Sequence, residues 1–377
     1  MTDHECRACR RQDGHIVLDL DEQPACDYFP TYDDSGPDPV YPLQMWLCAH
    51  CGLAQLLADP TTPEEPKGAE PAALVTQAAD AVARVTAAGL LPAGARVAEY
   101  GSPHGGSWLD MLAARGLVPV GGAAGADVII DCFGMMHAAD QAAALAERAG
   151  RLAPGGVLLL QFHSIETILR TGQWNALRHG HFAYYSATAL AAMMESLAAT
   201  SGTRLSARTS WLFDLYGGTV LLAVQRDGEG RAADDTITAL RGGEERAGVT
   251  RPAAYERLQR DVRARAGALH GWLAEMKASG KSVVGYGAAS RAVALLRTAG
   301  VDADLLPAVA DASPGKVGTR MPGTRIPVIT PAELVDRAPD AVALFVPDLL
   351  AEVRAAYPQV EAAGGQWVDA DALGIDR

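Results

Sequence analysis

Two cysteine pairs, Cys6-x-x-Cys9 and Cys48-x-x-Cys51, constrain this chain more than any other feature, because they oblige its N-terminal stretch to close on one point. Each pair places two thiolates on a tight turn, and two such turns complete a tetrahedral four-sulfur site that suits Zn2+. The 38 residues between Cys9 and Cys48 exceed the usual zinc-ribbon spacing, and short strands at 15–20 and 41–47 span them. Four protein ligands leave no open position, so the expected metal is structural, held by Cys6, Cys9, Cys48 and Cys51 with His50 a bystander. Cys26 and Cys132, the remaining two of six cysteines, stand alone. The residues from Met1 to Arg7 contain no apolar signal-peptide core, and apolar runs such as Gly156 to Leu160 are too short to span a bilayer. The expected location is the cytoplasm, where cysteines are reduced or metal-bound rather than paired.

From Arg96 onward, strand and helix patterns alternate. A strand, Arg96 to Tyr100, runs into the glycine loop Gly101-Ser102-Pro103-His104-Gly105-Gly106 and a helix from Ser107 to Arg115. Further strands are expected at 117–120, 127–132 and 156–162, and a pair at 203–213 and 218–225 would close the sheet edge. Ahead of them, Leu74, Ala78, Ala81, Val85 and Leu90 repeat with a helical period. Residues 226–250, charged and glycine-containing, are expected to form a hinge. A long amphipathic helix over 252–279 then feeds a second unit: a strand at 281–286, a glycine turn, a helix at 290–299, and strands near 305–310, 341–346 and 366–368. Short buried strands separated by helices imply an α/β fold with parallel sheets. The expected parts are a zinc-binding module at 1–66, a central Rossmann-like domain at 67–250 and a C-terminal Rossmann-like domain at 251–377. A net charge of −13 argues against nucleic acid or an anionic membrane as partner.

Three groups of residues can carry chemistry. The glycine loop can close backbone N–H groups and a helix N-terminus around a cofactor. Candidate contacts there are Glu99, Gly101, Ser102 and Gly105, with Asp131 ending a nearby strand. The second group is Arg178-His179-Gly180-His181-Phe182-Ala183-Tyr184-Tyr185, beyond the carboxyl end of the 156–162 strand, where open α/β sheets bind ligands. His179, His181 and Tyr184, with His137 and His163 after neighbouring strands, form a dense set of proton carriers suited to acid–base work near neutrality. The third is Gly285-Tyr286-Gly287-Ala288-Ala289-Ser290-Arg291, a strand, glycine turn and helix start where Tyr286, Arg291 and the later Lys316 suit a phosphate-bearing substrate.

These residues together resemble the three-domain sugar C-methyltransferases of deoxysugar biosynthesis, and the likeness covers nearly the whole chain. It rests on Cys6-x-x-Cys9, Gln23-Pro24, Tyr41-Pro42-Leu43 and Cys48-Ala49-His50-Cys51-Gly52-Leu53-Ala54-Gln55 at one end. At the other it rests on Gly285-Tyr286-Gly287-Ala288, Asp311, Lys316-Val317-Gly318, Pro322-Gly323-Thr324-Arg325-Ile326-Pro327-Val328 and Pro339-Asp340. The resemblance implies a central domain that binds S-adenosylmethionine, a nucleotide-linked keto sugar between the central and C-terminal domains, and a role in antibiotic biosynthesis. It also implies that a histidine-rich loop removes the proton alpha to the ketone before the enolate takes a methyl group, with His181 as base and Tyr184 or His179 supporting the enolate.

The chain departs from that pattern in its middle. The family's tyrosine-histidine-glutamate-histidine loop is Arg178-His179-Gly180-His181 here. Its glycine loop carries Pro103 and His104, and the acid expected to hold the ribose hydroxyls after the second strand is absent. About a strand and helix of chain is missing between Val120 and Asp127. The family's aromatic-serine segment is replaced by Lys67-Gly68-Ala69-Glu70-Pro71, and the later glycine motif is Tyr216-Gly217-Gly218-Thr219, without the usual histidine. A buried ribose without its carboxylate loses ~1–3 kcal/mol. Three functions therefore compete: a methyltransferase acting on a nucleotide-linked sugar or similar keto compound; the same scaffold without methyl donor, catalysing isomerisation, epimerisation, elimination or cyclisation; and a non-catalytic binding protein. A monomer and a homodimer fit equally.

Overall fold

A computed structural model of the chain describes residues 4–61, 70–101, 106–121, 125–226 and 233–374. Its strands form three sheets, and the protein is a mixed α/β fold. In the first sheet, Gly14–Pro24 and Val40–Cys48 make an antiparallel hairpin with Gly14 opposite Cys48, followed by Ala54–Leu56. Alternation turns Leu43, Met45 and Leu47 inward. The fourth strand, Ala183–Tyr184, comes from far along the chain and pairs with Ala54 and Gln55, so the histidine segment is stitched to the cysteine module.

The central sheet has six strands in the order Val118–Pro119, Arg96–Tyr100, Ala126–Cys132, Leu152–His163, Thr219–Arg226 and Leu205–Phe213. The first four are parallel and the last two antiparallel, as the expected edge pair requires. Its inner strands are nearly continuous apolar runs, Val128 to Ile130 and Leu158 to Leu160, which suits a sheet covered on both faces. Ala72–Ala87, Gln141–Arg151 and Ala187–Ser201 are its principal helices. After the short edge strand Val118–Pro119 the chain returns across Arg96–Tyr100 to build Ala126–Cys132, so no further strand lies beyond that edge among the described residues.

The stretch expected to be a hinge is largely helix, Asp235–Ala247. Asp234 caps its start by accepting the Thr236 N–H, and Gly248 ends it in the left-handed conformation. Buried Glu244 then fixes it, accepting the Ala187 and Thr188 N–H groups at 2.6 and 2.9 Å. Charge and glycine content hid the helix because most of its polar residues other than Glu244 face solvent and its glycines lie mid-helix, at Gly242 and Gly243.

The third sheet is parallel throughout, in the order Val328–Ile329, Val309–Ala310, Val283–Tyr286, Ala341–Leu344 and Gln366–Asp369. A 3-10 turn, Pro252–Tyr255, leads into the long helix Glu256–Ala278, which buries Leu258, Val262, Leu269 and Leu273. Two cores cross the sheets. One joins the cysteine knuckles and Trp46 to the central sheet; the other joins Leu18, Leu43 and Leu47 of the hairpin to the long helix and the third sheet. A buried bidentate ion pair, Arg320 to Asp38 at 2.6 and 2.7 Å, adds a polar link between the N-terminal and C-terminal parts. Among the described residues no helix is long and apolar enough to cross a membrane.

Candidate active site

The knuckle sulfurs converge. Cys6 Sγ lies 3.5 Å from Cys51 Sγ and Cys9 Sγ 3.6 Å from Cys48 Sγ, and all four lie within 4.8 Å of one another. Sulfurs held about 2.3 Å from one tetrahedral ion are about 3.8 Å apart, so the cluster has the size Zn2+ needs. Backbone N–H groups of Cys9 and Cys51 point at Cys6 Sγ and Cys48 Sγ, as they do toward thiolate ligands. His50 is exposed and stands outside the cluster.

At the glycine edge the expected cofactor residues fare differently. Ser102 and Gly105, with Pro103 and His104, lie outside the described residues. Gly101 is exposed, with open space where a Cβ would stand, while a Cβ on Gly106 would strike the Glu70 carboxylate 2.0 Å away. Glu99 turns to the helix start: it accepts the Trp108 N–H at 2.7 Å and the Ser107 hydroxyl. Asp131 lies deeper in the sheet. It is fully buried, accepts the Gly134 and Met135 N–H groups, and forms an ion pair with Arg148, whose guanidinium also lies over the Tyr100 ring at 3.9 Å. Both oxygens of this carboxylate are thus engaged within the protein.

Between the central and third sheets lies a cavity of about 280 Å³. His163, Arg178, His181, Tyr184 and Tyr216 line it from one side, and Tyr286, Ser290, Arg291, Asp311 and Lys316 from the other. All three residues expected at a phosphate, Tyr286, Arg291 and Lys316, are thus brought to one place. The helix Ser290–Thr298 begins at this wall without a side-chain cap; the Ala292 N–H donates back to the Ala289 carbonyl at 2.9 Å, which leaves the Ser290 and Arg291 N–H groups for another acceptor. Gly287 permits the turn before it: φ is +93°, and a Cβ would meet Val346 at 2.7 Å. Arg291 pairs with Asp348 at 3.5 Å, and Lys316 donates to the Ala288 carbonyl at 3.0 Å with its ammonium over the Phe29 ring. Burial raises the Tyr286 phenol well above its usual range, so it stays protonated.

The histidine segment is split. His181 stays on the cavity wall, its Nε2 accepting from Arg178 Nε at 2.8 Å, while Arg178 Nη1 donates to Ser290 Oγ at 2.6 Å. His137 packs edge-on behind His181, ring centroids 4.6 Å apart. His179 points the other way, onto the Pro42 carbonyl at 3.3 Å and the edge of Tyr41, and does not line the cavity. The left-handed turn at Gly180, φ +81°, accounts for the reversal. Tyr184 lines the cavity, yet its hydroxyl accepts the Arg178 N–H at 3.1 Å and donates to the Ala176 carbonyl at 3.2 Å. Burial pushes that phenol up as well, so it stays protonated while its two hydrogen bonds brace the loop.

Two further groups also stand in this wall: His163, expected among the proton carriers, and Tyr216, for which no role was expected. His163 ends its strand opposite Thr219, with Nε2 buried and without a hydrogen-bond partner. Burial first, and then the charges of Arg291 and Arg178, pull it down to about 3, so its imidazole is neutral at neutral pH. Tyr216 and Phe133 meet edge to face at 6.0 Å, and each has a left-handed backbone, φ +55° and +61°. Bulky residues held there are strained, which concentrates at ligand sites. The signal for His163 was its place at a strand's carboxyl end; nothing in the sequence marked the strain.

Residues 214–370 match the family model "C-methyltransferase C-terminal domain", and residues 6–65 match "Putative zinc binding domain". The C-methyltransferase NovU of Streptomyces niveus is 24% identical over 190 residues, which is 50% of this chain and 44% of that protein, so the chain spans less than half the length of this curated relative. Among solved structures, magnesium protoporphyrin IX methyltransferase from Synechocystis PCC 6803 aligns over 41% of this chain and 83% of its own, at 9% identity and TM-score 0.28. N-methyltransferase NodS from Bradyrhizobium japonicum WM9 aligns over 42% and 90%, at 12% identity and TM-score 0.28.

Proposed function

We propose that this chain, which matches a C-methyltransferase C-terminal domain and a putative zinc binding domain, is an S-adenosylmethionine-dependent C-methyltransferase acting on a small, nucleotide-linked keto sugar or a similar keto compound. The observation that carries this reading is the cavity between the two α/β sheets, where His181 faces a wall that holds Arg291 and Lys316 among the acids Asp311, Asp348 and Glu352. The uncapped start of Ser290–Thr298, with Arg291 and Lys316 beside it, suits the diphosphate of such a substrate. His181 is then the base for the carbon next to the ketone. In the free protein its Nε2 is engaged by Arg178, and an anionic substrate group drawing Arg178 toward itself releases that lone pair.

The donor would lie along Gly101 to Gly106, supplying an electrophilic methyl group for the enolate carbon. The open space at Gly101 fits a ligand against the backbone. Residues Val120 to Gly125 offer no carboxylate for a ribose, so the donor is held about 10–100-fold less tightly than where one is present. Calorimetric titration of the zinc-loaded protein with S-adenosylmethionine tests this: saturable heat is expected, and none at millimolar donor removes the methyltransferase reading. Solvent deuterium entering a keto substrate without any donor would mark the proton-transfer half of the reaction by itself.

A further inference from the structure

We propose that His163 is a catalytic hydrogen-bond donor, presenting its Nε2–H to the substrate's ketone oxygen and holding the negative charge that gathers there when the neighbouring carbon loses its proton. This deepens the reading of the cavity as a keto-substrate site and rests on it.

His181 Nε2 is met by Arg178, the Tyr184 hydroxyl is bound at both ends to backbone, and Arg291 is paired with Asp348. Among the described residues lining the cavity, His163 is the one whose buried nitrogen has no hydrogen-bond partner. A buried polar atom without a partner is costly, and such atoms in native proteins commonly await a ligand or water. Its position is fixed: the residue ends a central strand, in register with Thr219 on one side, and its neighbour Phe162 is buried beneath it.

The chemistry follows from the surroundings. Burial, with Arg178 and Arg291 nearby, makes a positive charge on this ring costly, so it stays neutral, and an imidazole whose protonation is so disfavoured is a poor base toward a carbon-bound proton but a good fixed donor. The same two arginines favour negative charge on an oxygen placed against Nε2. The electron balance is simple. The C–H pair moves into the new carbon–carbon double bond, the ketone π pair moves onto oxygen, the proton passes to His181, and no oxidant or reductant is needed.

The test is exchange of solvent deuterium into a thymidine-diphosphate 4-keto-6-deoxyhexose by the full-length, zinc-loaded protein without donor, alongside calorimetric binding of the same compound. His163→Leu should slow exchange about 100-fold or more while binding changes by less than about 3-fold. His163→Gln, whose amide N–H reaches nearly the same place, should keep exchange within about 10-fold of the wild type. Exchange by His163→Leu within about 3-fold of wild type overturns the inference and leaves the function standing. Loss in both variants equally overturns it too, because it makes the imidazole the base. If His163→Leu does not fold, the Nε2 resonance of 15N-histidine-labelled wild type decides: it must shift on saturation with the probe, and an unmoved resonance overturns the inference. A wild type that binds none of the probe sinks both readings together.

Discussion

At Asp131 a carboxylate near the glycine edge is held inside the sheet by Arg148 and two backbone N–H groups, and that arrangement fixes what its loss must do. Asp131→Asn leaves the Arg148 guanidinium buried without its counter-charge. Removing one partner of a buried pair costs about 3–5 kcal/mol. Urea denaturation should show that loss; a variant within about 1 kcal/mol of wild type would mean Arg148 finds another partner. His163 gives a pH signature of opposite origin. Its folded-state value of about 3 lies below the usual 6.5, so the unfolded chain takes up a proton that the native protein refuses. The stability linked to His163 is therefore fully present above pH 6.5 and is lost as pH falls toward 3, by up to ~1.4 kcal/mol per pH unit. Between pH 7 and 5, wild type should lose about 2 kcal/mol more than His163→Gln in urea melts. An identical loss in both would show that the ring is protonated in the native state.

Among the elements, the strand Ala183–Tyr184 is the least conspicuous and the most consequential. It pairs with Ala54–Leu56, directly after the second cysteine knuckle, so metal binding bears on the loop that carries His181. Stripping the metal with a chelator should release about one Zn2+ per chain and lower the melting temperature by about 5 °C or more. Binding of a keto-sugar nucleotide should weaken at the same time. Unchanged melting after the metal has left would mean that the hairpin core alone holds the module. The knuckles, the alternating strands and the long helix were readable because each rests on local spacing: two residues between cysteines, apolar runs, a 3.6-residue period. The helix Asp235–Ala247 was not, since its order depends on Glu244 reaching the start of another helix. Nor was the separation of His179 from His181, which turns on one left-handed glycine.

Across the whole molecule, the hairpin carries one core on each face, and Asp38 and Arg320 close the contact with the C-terminal part. Arg320 also donates to the Thr324 carbonyl, and Asp38 accepts the Gly323 N–H, so the pair is embedded on both sides. Asp38→Ala should cost about 3–5 kcal/mol and expose the 31–38 loop to proteolysis before the rest of the chain. Cleavage there at the wild-type rate would refute the role given to the pair. Spacing in a sequence cannot reveal such a contact, because the partners stand far apart and neither belongs to a motif. The same contact decides where relatives of this chain can exchange parts. A crossover between the central and C-terminal units keeps this ion pair only if the incoming half brings its own match for residues 31–38. The seam for recombination therefore runs through the N-terminal hairpin and not through the joint that the order of the elements suggests.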